Sequence, residues 1–249
     1  MIGKMEVLSD APQLAERVAE WMTEEALAST APFRISLSGG STPKALYELL
    51  ASDKFRNRFP WERVMWFWGD ERFVPRNDPD SNYKMVNDAM FSKAPVPLNN
   101  IFPIPVDGDA DAAASRYEST LHEIYGAAEL EATRPFFDIV LLGLGPDGHT
   151  ASLLPGEPVL KERRKWVASV PHGRQEIRIT MTYPLIESAR NIAFLVAGRE
   201  KAEILNKIRA GDRNTPAAQI QPIGELHWFV DREAASGFDS SPKTQAALF

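Results

Sequence analysis

The sequence predicts an α/β fold built on a largely parallel central sheet, and three observations carry that prediction. Short apolar runs alternate with amphipathic segments along the chain, the order of strand and helix expected of a doubly wound fold. Most of these runs lack polar alternation, which suits strands buried on both faces. With 249 residues, 44% of them hydrophobic and 25% charged, the chain has the length and apolar content for one domain spanning residues 1–249 around a substantial core.

The first helix is predicted over residues 10–28. Leu14, Val18, Trp21 and Met22 recur there at helical spacing behind Asp10 as a cap and Pro12 in the first turn. Strands are predicted at Phe33 to Leu37, Val64 to Trp68, Phe137 to Leu142, Trp166 to Val170, Ile177 to Met181, Ile192 to Ala197 and His227 to Val230. Further helices fall between them at residues 43–51, 81–91, 109–126 and 199–210. The proline-rich stretch from Ala94 to Pro105 reads as a connecting loop, and residues 237–249 as a weakly ordered tail.

Composition excludes several function classes. A formal charge of −6 argues against a general nucleic-acid binder, whose affinity rests on clustered Lys and Arg. No cysteine is present, which removes disulfides, thiolate nucleophiles and Cys-ligated zinc. The N-terminal residues lack the apolar run of a signal peptide, and no stretch approaches the roughly 20 apolar residues of a membrane span. His122-Glu123 begins a zinc-protease pattern, but residue 126 is Gly126 and the pattern fails. A serine-hydrolase elbow is missing too.

In open α/β sheets ligands bind beyond the carboxyl ends of the strands, and three predicted strand ends carry unusual chemistry. Leu37 runs into Ser38-Gly39-Gly40-Ser41-Thr42-Pro43, where backbone N–H groups, hydroxyls and a helix N-terminus outline an anion cradle. The alternative reading is an ordinary strand-to-helix turn with Thr42 as the N-cap. Trp68 leads into Gly69-Asp70-Glu71-Arg72: Asp70 is placed to orient a proton, Arg72 to grip a phosphate or an oxyanion at two points. The third block, Gly143-Leu144-Gly145-Pro146-Asp147-Gly148-His149-Thr150, satisfies a dinucleotide-binding pattern in form. Pro155 limits any helix after it, and no carboxylate lies in Trp166 to Pro171 to take a ribose, so the glycines instead clear space around His149. A short helix starting after His149 would favour its neutral form, as a general base requires. Lys201, in Gly198-Arg199-Glu200-Lys201, opens a helix and is a candidate to reach a phosphate, the alternative being plain surface charge.

Taken in order, these blocks resemble the 6-phosphogluconolactonase family within the glucosamine-6-phosphate isomerase/deaminase-like group. Asp80-Ser81-Asn82-Tyr83, Arg178-Ile179-Thr180 and the closing Gly224 to Asp231 extend the match to nearly the whole chain. The resemblance implies a Rossmann-like three-layer fold and hydrolysis of 6-phosphoglucono-δ-lactone to 6-phosphogluconate without metal or organic cofactor. It makes His149 the base for the attacking water, with Asp147 beside it and Asp70 and Arg72 in the catalytic set. Ser38, Gly39, Gly40, Ser41, Thr42, Arg72, Arg178 and Lys201 are expected around the phosphate.

The implied partner is a small sugar-phosphate lactone. Neither nucleic acid nor membrane is expected, and the chain is expected to be a cytoplasmic monomer, at most weakly associated with the dehydrogenase upstream. One alternative is a glucosamine-6-phosphate deaminase, which uses a carboxylate in a His-x-x-x-x-Glu pattern where this chain has Leu154. Another is a non-catalytic sugar-phosphate sensor, against which the presence of both Asp147 and His149 argues.

Overall fold

The computed structural model describes residues 3–237. Its strands, in chain order, are β1 (Lys4–Leu8), β2 (Phe33–Leu37), β3 (Val64–Trp68), β4 (Asp70–Arg72), β5 (Ile101–Phe102), β6 (Ile139–Gly143), β7 (Val167–Val170), β8 (Arg178–Met181), β9 (Asn191–Val196) and β10 (Glu225–Asp231). The helices are α1 (Ala11–Ala28), α2 (Ser41–Leu50), α3 (Asp53–Arg56), α4 (Asn82–Val86), α5 (Ala110–Tyr125), α6 (Tyr183–Glu187) and α7 (Ala202–Arg209). Seven strands form one sheet in the order β1-β10-β9-β6-β2-β3-β5, and every neighbouring pair in it is parallel. The α/β prediction with a mostly parallel central sheet holds, with helices flanking that sheet.

The middle of the sheet follows from the apolar runs. All six residues of β9 are buried, as are Ile139 to Leu142 of β6. Such strands have no solvent face, so an unbroken apolar run is what their position demands. Phe194 and Trp228 stack across β9 and β10 with ring centroids 4.1 Å apart. Helix α1 starts where its cap predicts, with the Asp10 carboxylate accepting from the Gln13 N–H at 2.8 Å.

Two of the predicted strands belong elsewhere. β7 and β8 form an antiparallel hairpin in a separate three-stranded sheet of order β4-β8-β7. The link at residues 171–177 is too short for a parallel crossover, which takes a dozen residues or more. Three strands went unpredicted. β1 is a half-exposed edge strand, β4 is only three residues of charged sequence, and β5 is a two-residue strand inside the predicted Ala94 to Pro105 loop. The helix expected over 81–91 is α4 followed by a π-helical turn at Asn87–Phe91. Of the predicted tail, residues 238–249 lie outside the described residues; Ser236, just before the tail, accepts through its carbonyl from the Asn206 side chain.

Strand order reverses at the centre of the sheet. The chain leaves β2 toward β3 on one side, and leaves β6 toward β9 on the other. A crevice opens beyond the carboxyl ends of adjacent parallel strands at such a point. Two tyrosines fix the strand ends beside it. The Tyr47 hydroxyl accepts from the Ser38 N–H and donates to the Ser38 carbonyl, and Tyr117 does the same for Trp68. Tyr117→Phe removes a buried hydroxyl that satisfies two backbone groups, so it is expected to destabilise the protein by about 1–3 kcal/mol. Urea denaturation measures this, and an unchanged midpoint would mean that Trp68 finds other partners.

Candidate active site

The crevice is a cleft of about 340 Å³. All three strand-end blocks and Lys201 reach it: Ser38, Gly39, Gly40, Ser41, Thr42, Asp70, Arg72, His149, Arg178 and Lys201 all line it. Each arrives there for a local reason.

The first block turns from β2 into α2. Gly40 is the N-cap and Ser41 the first helical residue, which corrects the alternative reading of Thr42 as the cap. Ser41 and Thr42 therefore present first-turn N–H groups, which have no partner within the helix. The second block begins where the chain leaves the large sheet. The Gly69 N–H still donates to Leu37 of β2, while the Gly69 carbonyl already accepts from Met181 at the end of β8. Asp70 to Arg72 thereby become β4 of the small sheet.

Within β4 the three charges do different work. Asp70 is buried beneath the cleft, and its Oδ2 accepts from the Ser152 hydroxyl at 2.6 Å. One carboxylate oxygen is thus committed to holding the third block against the second. Glu71 faces away from the cleft and accepts from the backbone N–H groups of Arg72, Asn82 and Tyr83 at 2.7–2.8 Å, tying β4 to the start of α4. Arg72 lies directly opposite Arg178 on β8. Like charges in that register repel, and the Nε atoms of both arginines are buried with no hydrogen-bond partner. Burial holds Arg178 below the usual arginine range, and Arg72 beside it contributes in the same direction.

The third block is a tight turn. Gly148 N–H donates to the Gly145 carbonyl at 2.9 Å, and Gly145 N–H donates to the His149 carbonyl at 2.8 Å. Pro146 thus sits at the second turn position, where its restricted backbone is preorganised. Asp147 Oδ1 lies 2.5 Å from His149 Nδ1 and also accepts from the His149 backbone N–H. An ionised carboxylate can only accept, so Nδ1 carries the proton and Nε2 is left as the basic nitrogen. Burial pushes the Asp147 carboxyl up, but bonds from the His149 ring and backbone and the charges of His149 and Arg174 bring it below the ordinary value.

Two expectations about this block need correction. No helix follows His149: Thr150 to Leu153 form a turn closed by the Leu153 N–H on the Thr150 carbonyl, so helix-dipole reasoning does not apply to the imidazole. Of the glycines, only Gly145 clears space for His149, since a Cβ there would stand 2.0 Å from Nδ1. Gly148 accommodates Thr215 instead, and Gly143 has room for a side chain.

Lys201 is set by the far end of the sheet. Buried Asp231, the last residue of β10, accepts from the Gly198 N–H with both oxygens at 3.1 Å, fixing the turn Arg199–Lys201 that opens α7. Asn82 and Arg174 are among the lining residues missed as site residues. Asn82 donates from Nδ2 to the Asp70 carbonyl at 2.9 Å, and Gly39 leaves room for it, because a Cβ there would fall 2.1 Å from Asn82 Oδ1. Arg174 comes from the β7–β8 loop, and no motif marks it. Among the described residues no group of three His, Asp or Glu is placed to hold a metal ion, and no helix is long and apolar enough to cross a membrane.

The family described as glucosamine-6-phosphate isomerases/6-phosphogluconolactonase matches residues 9–228. The chain belongs to this family. It is 40% identical over 242 residues to a 6-phosphogluconolactonase of Synechocystis, covering 94% of this chain and 98% of the relative. A 6-phosphogluconolactonase of Nostoc is 38% identical over 244 residues, covering 95% and 98%. Among solved structures, a 6-phosphogluconolactonase from Trypanosoma cruzi superposes with a TM-score of 0.83 at 30% identity, covering 94% of this chain and 96% of that one. The family resemblance inferred from the ordered motif blocks is therefore correct.

Glu71 generates a pH prediction. Burial pushes its carboxyl up to about 7 from an ordinary 4.5, with the three N–H bonds pulling the other way. The folded value exceeds the unfolded one, so the native state binds the extra proton and Glu71's contribution to stability declines as pH rises from 4.5 to about 7. Glu71→Gln is expected to lack that decline when urea stabilities are compared across this range. Parallel pH dependences in the two proteins would contradict it.

Proposed function

We infer that this protein hydrolyses 6-phosphoglucono-δ-lactone to 6-phosphogluconate, the second step of the oxidative pentose phosphate pathway. The carrying observation is the Asp147–His149 pair, in contact at 2.5 Å on the rim of a cationic cleft. The names of the relatives, spanning nearly the full length of both chains, agree with it.

A lactone is an activated ester, so one positioned water and a means of stabilising the oxyanion suffice. His149 Nε2 takes a proton from water as its oxygen attacks the lactone carbonyl carbon. The tetrahedral oxyanion forms beside the N–H groups and cations of the cleft. When the ring C–O bond breaks, the imidazolium returns the proton to the departing ring oxygen, which becomes the hydroxyl of 6-phosphogluconate. Asp147 keeps the Nδ1 proton in place throughout. The remote phosphate supplies binding energy that holds the ring in register, and the opposed Arg72 and Arg178 are suited to it because an anion between them relieves their repulsion. Ser41, Thr42 and Lys201 complete the anion-binding wall.

The deaminase alternative requires a carboxylate five residues beyond the histidine, and Leu154 there is buried and does not line the cleft. The sensor alternative has no feature in its favour, since both members of the Asp147–His149 pair are in place. The reaction is placed in the cytoplasm.

Purified protein is expected to hydrolyse the lactone faster than its spontaneous rate and to release no ammonia from glucosamine 6-phosphate. His149→Ala is expected to lose about 10²–10⁴-fold in kcat, and a lactonase rate unchanged by that substitution would refute the assigned base. Arg72→Ala is expected to act chiefly on KM, by tenfold or more, as for a group that binds substrate and transition state alike. A loss confined to kcat would instead put Arg72 at the carbonyl oxygen.

A further inference from the structure

We propose that Arg174 is a positioning residue that locks the Asp147 carboxylate and, through it, keeps the proton of His149 on Nδ1. The inference rests on the lactonase reading for its kinetic part only.

Three observations meet at this residue. The Arg174 guanidinium donates to Asp147 Oδ2 at 2.9 Å, while the other oxygen of the same carboxylate engages His149. The two carboxylate oxygens are thereby divided between the Arg174 cation and the catalytic ring. Secondly, the Asp147 side chain is 41% exposed, so without Arg174 only its Oδ1 contacts with His149 would hold it against water. Lastly, Arg174 has a backbone φ of +108°, in the region L side chains seldom adopt and where strain clusters at functional positions. That strain coincides with the contact that brings the guanidinium over Asp147.

The arrangement also determines which bonds form. Arg174 lies 3.2 Å from His149 Nδ1, but a guanidinium has no lone pair and can only donate. It cannot itself hold the Nδ1 proton, so if Asp147 turned away nothing would keep the proton there and the imidazole would carry it on Nε2 as readily. That tautomer cannot take a proton from water at Nε2. With Arg174 bound to Oδ2, Oδ1 stays on Nδ1 and the reactive tautomer is retained. The hairpin loop from the small sheet thus supplies the third member of a chain running Arg174, Asp147, His149.

Arg174→Gly tests this, because glycine adopts the positive φ without strain and removes only the side chain. In 15N-imidazole spectra of the free protein, the neutral His149 ring is expected to be Nδ1-protonated in wild type and to gain Nε2-protonated tautomer in the variant. In lactone hydrolysis, kcat is expected to fall by on the order of tenfold with KM within about twofold, as for loss of a group acting only in the transition state. On an Asp147→Asn background, Arg174→Gly is expected to cost less than about twofold more, since the two act as one unit. An unchanged tautomer, a rise in KM with kcat kept, or full additivity with Asp147→Asn would each overturn the proposal. The spectra need no substrate, so a protein that fails to hydrolyse the lactone but shows the tautomer change would sink the reaction assignment and leave the positioning role standing.

Discussion

Two adjacent parallel strands at the centre of the large sheet, β2 and β6, send the chain away in opposite directions. No crossover covers the space between their carboxyl ends, and every functional group discussed above collects around that gap. The glycine-rich turns after β2 and β6 form its floor. The small antiparallel sheet forms one wall, because the chain leaves β3 at Gly69 and is captured there by β8. The turn before α7 forms the other wall.

Buried polar contacts hold the walls together where apolar packing ends. Asp70 binds Ser152, the Ser152 N–H reaches the Thr180 hydroxyl, and Glu71 gathers the backbone of Asn82 and Tyr83. These bonds join segments far apart in sequence, and several lie in places that exclude water, where an unpaired group would be expensive. They account for motif residues that never face the cleft. Ser152, Thr180 and Asp231 matter because they place His149, Arg178 and Lys201.

Charge is distributed to the same end. The chain is acidic overall at −6, yet Arg72, Arg178, Arg174 and Lys201 converge on one cleft. The opposed arginines of β4 and β8 are an arrangement that the free protein tolerates at a cost, with buried donors left unpaired. Such an arrangement suits an anion, which would relieve the repulsion between the two guanidinium groups.

The sequence by itself determined the central strands, the main helices and the candidate reacting groups. Strands buried on both faces must be apolar without interruption, caps and turns use local rules, and Gly145-Pro146-Asp147-Gly148-His149 folds into its turn through contacts within five residues. Tertiary structure alone decided that β7 and β8 leave the parallel sheet, that Arg72 faces Arg178, and that Asn82 and Arg174 belong to the site. Those outcomes depend on register and topology between segments distant in the chain, and neither hydrophobic period nor local capping carries that information. His149 was visible as a candidate base from its block, while its tautomer became readable only once Asp147 and Arg174 were placed around it.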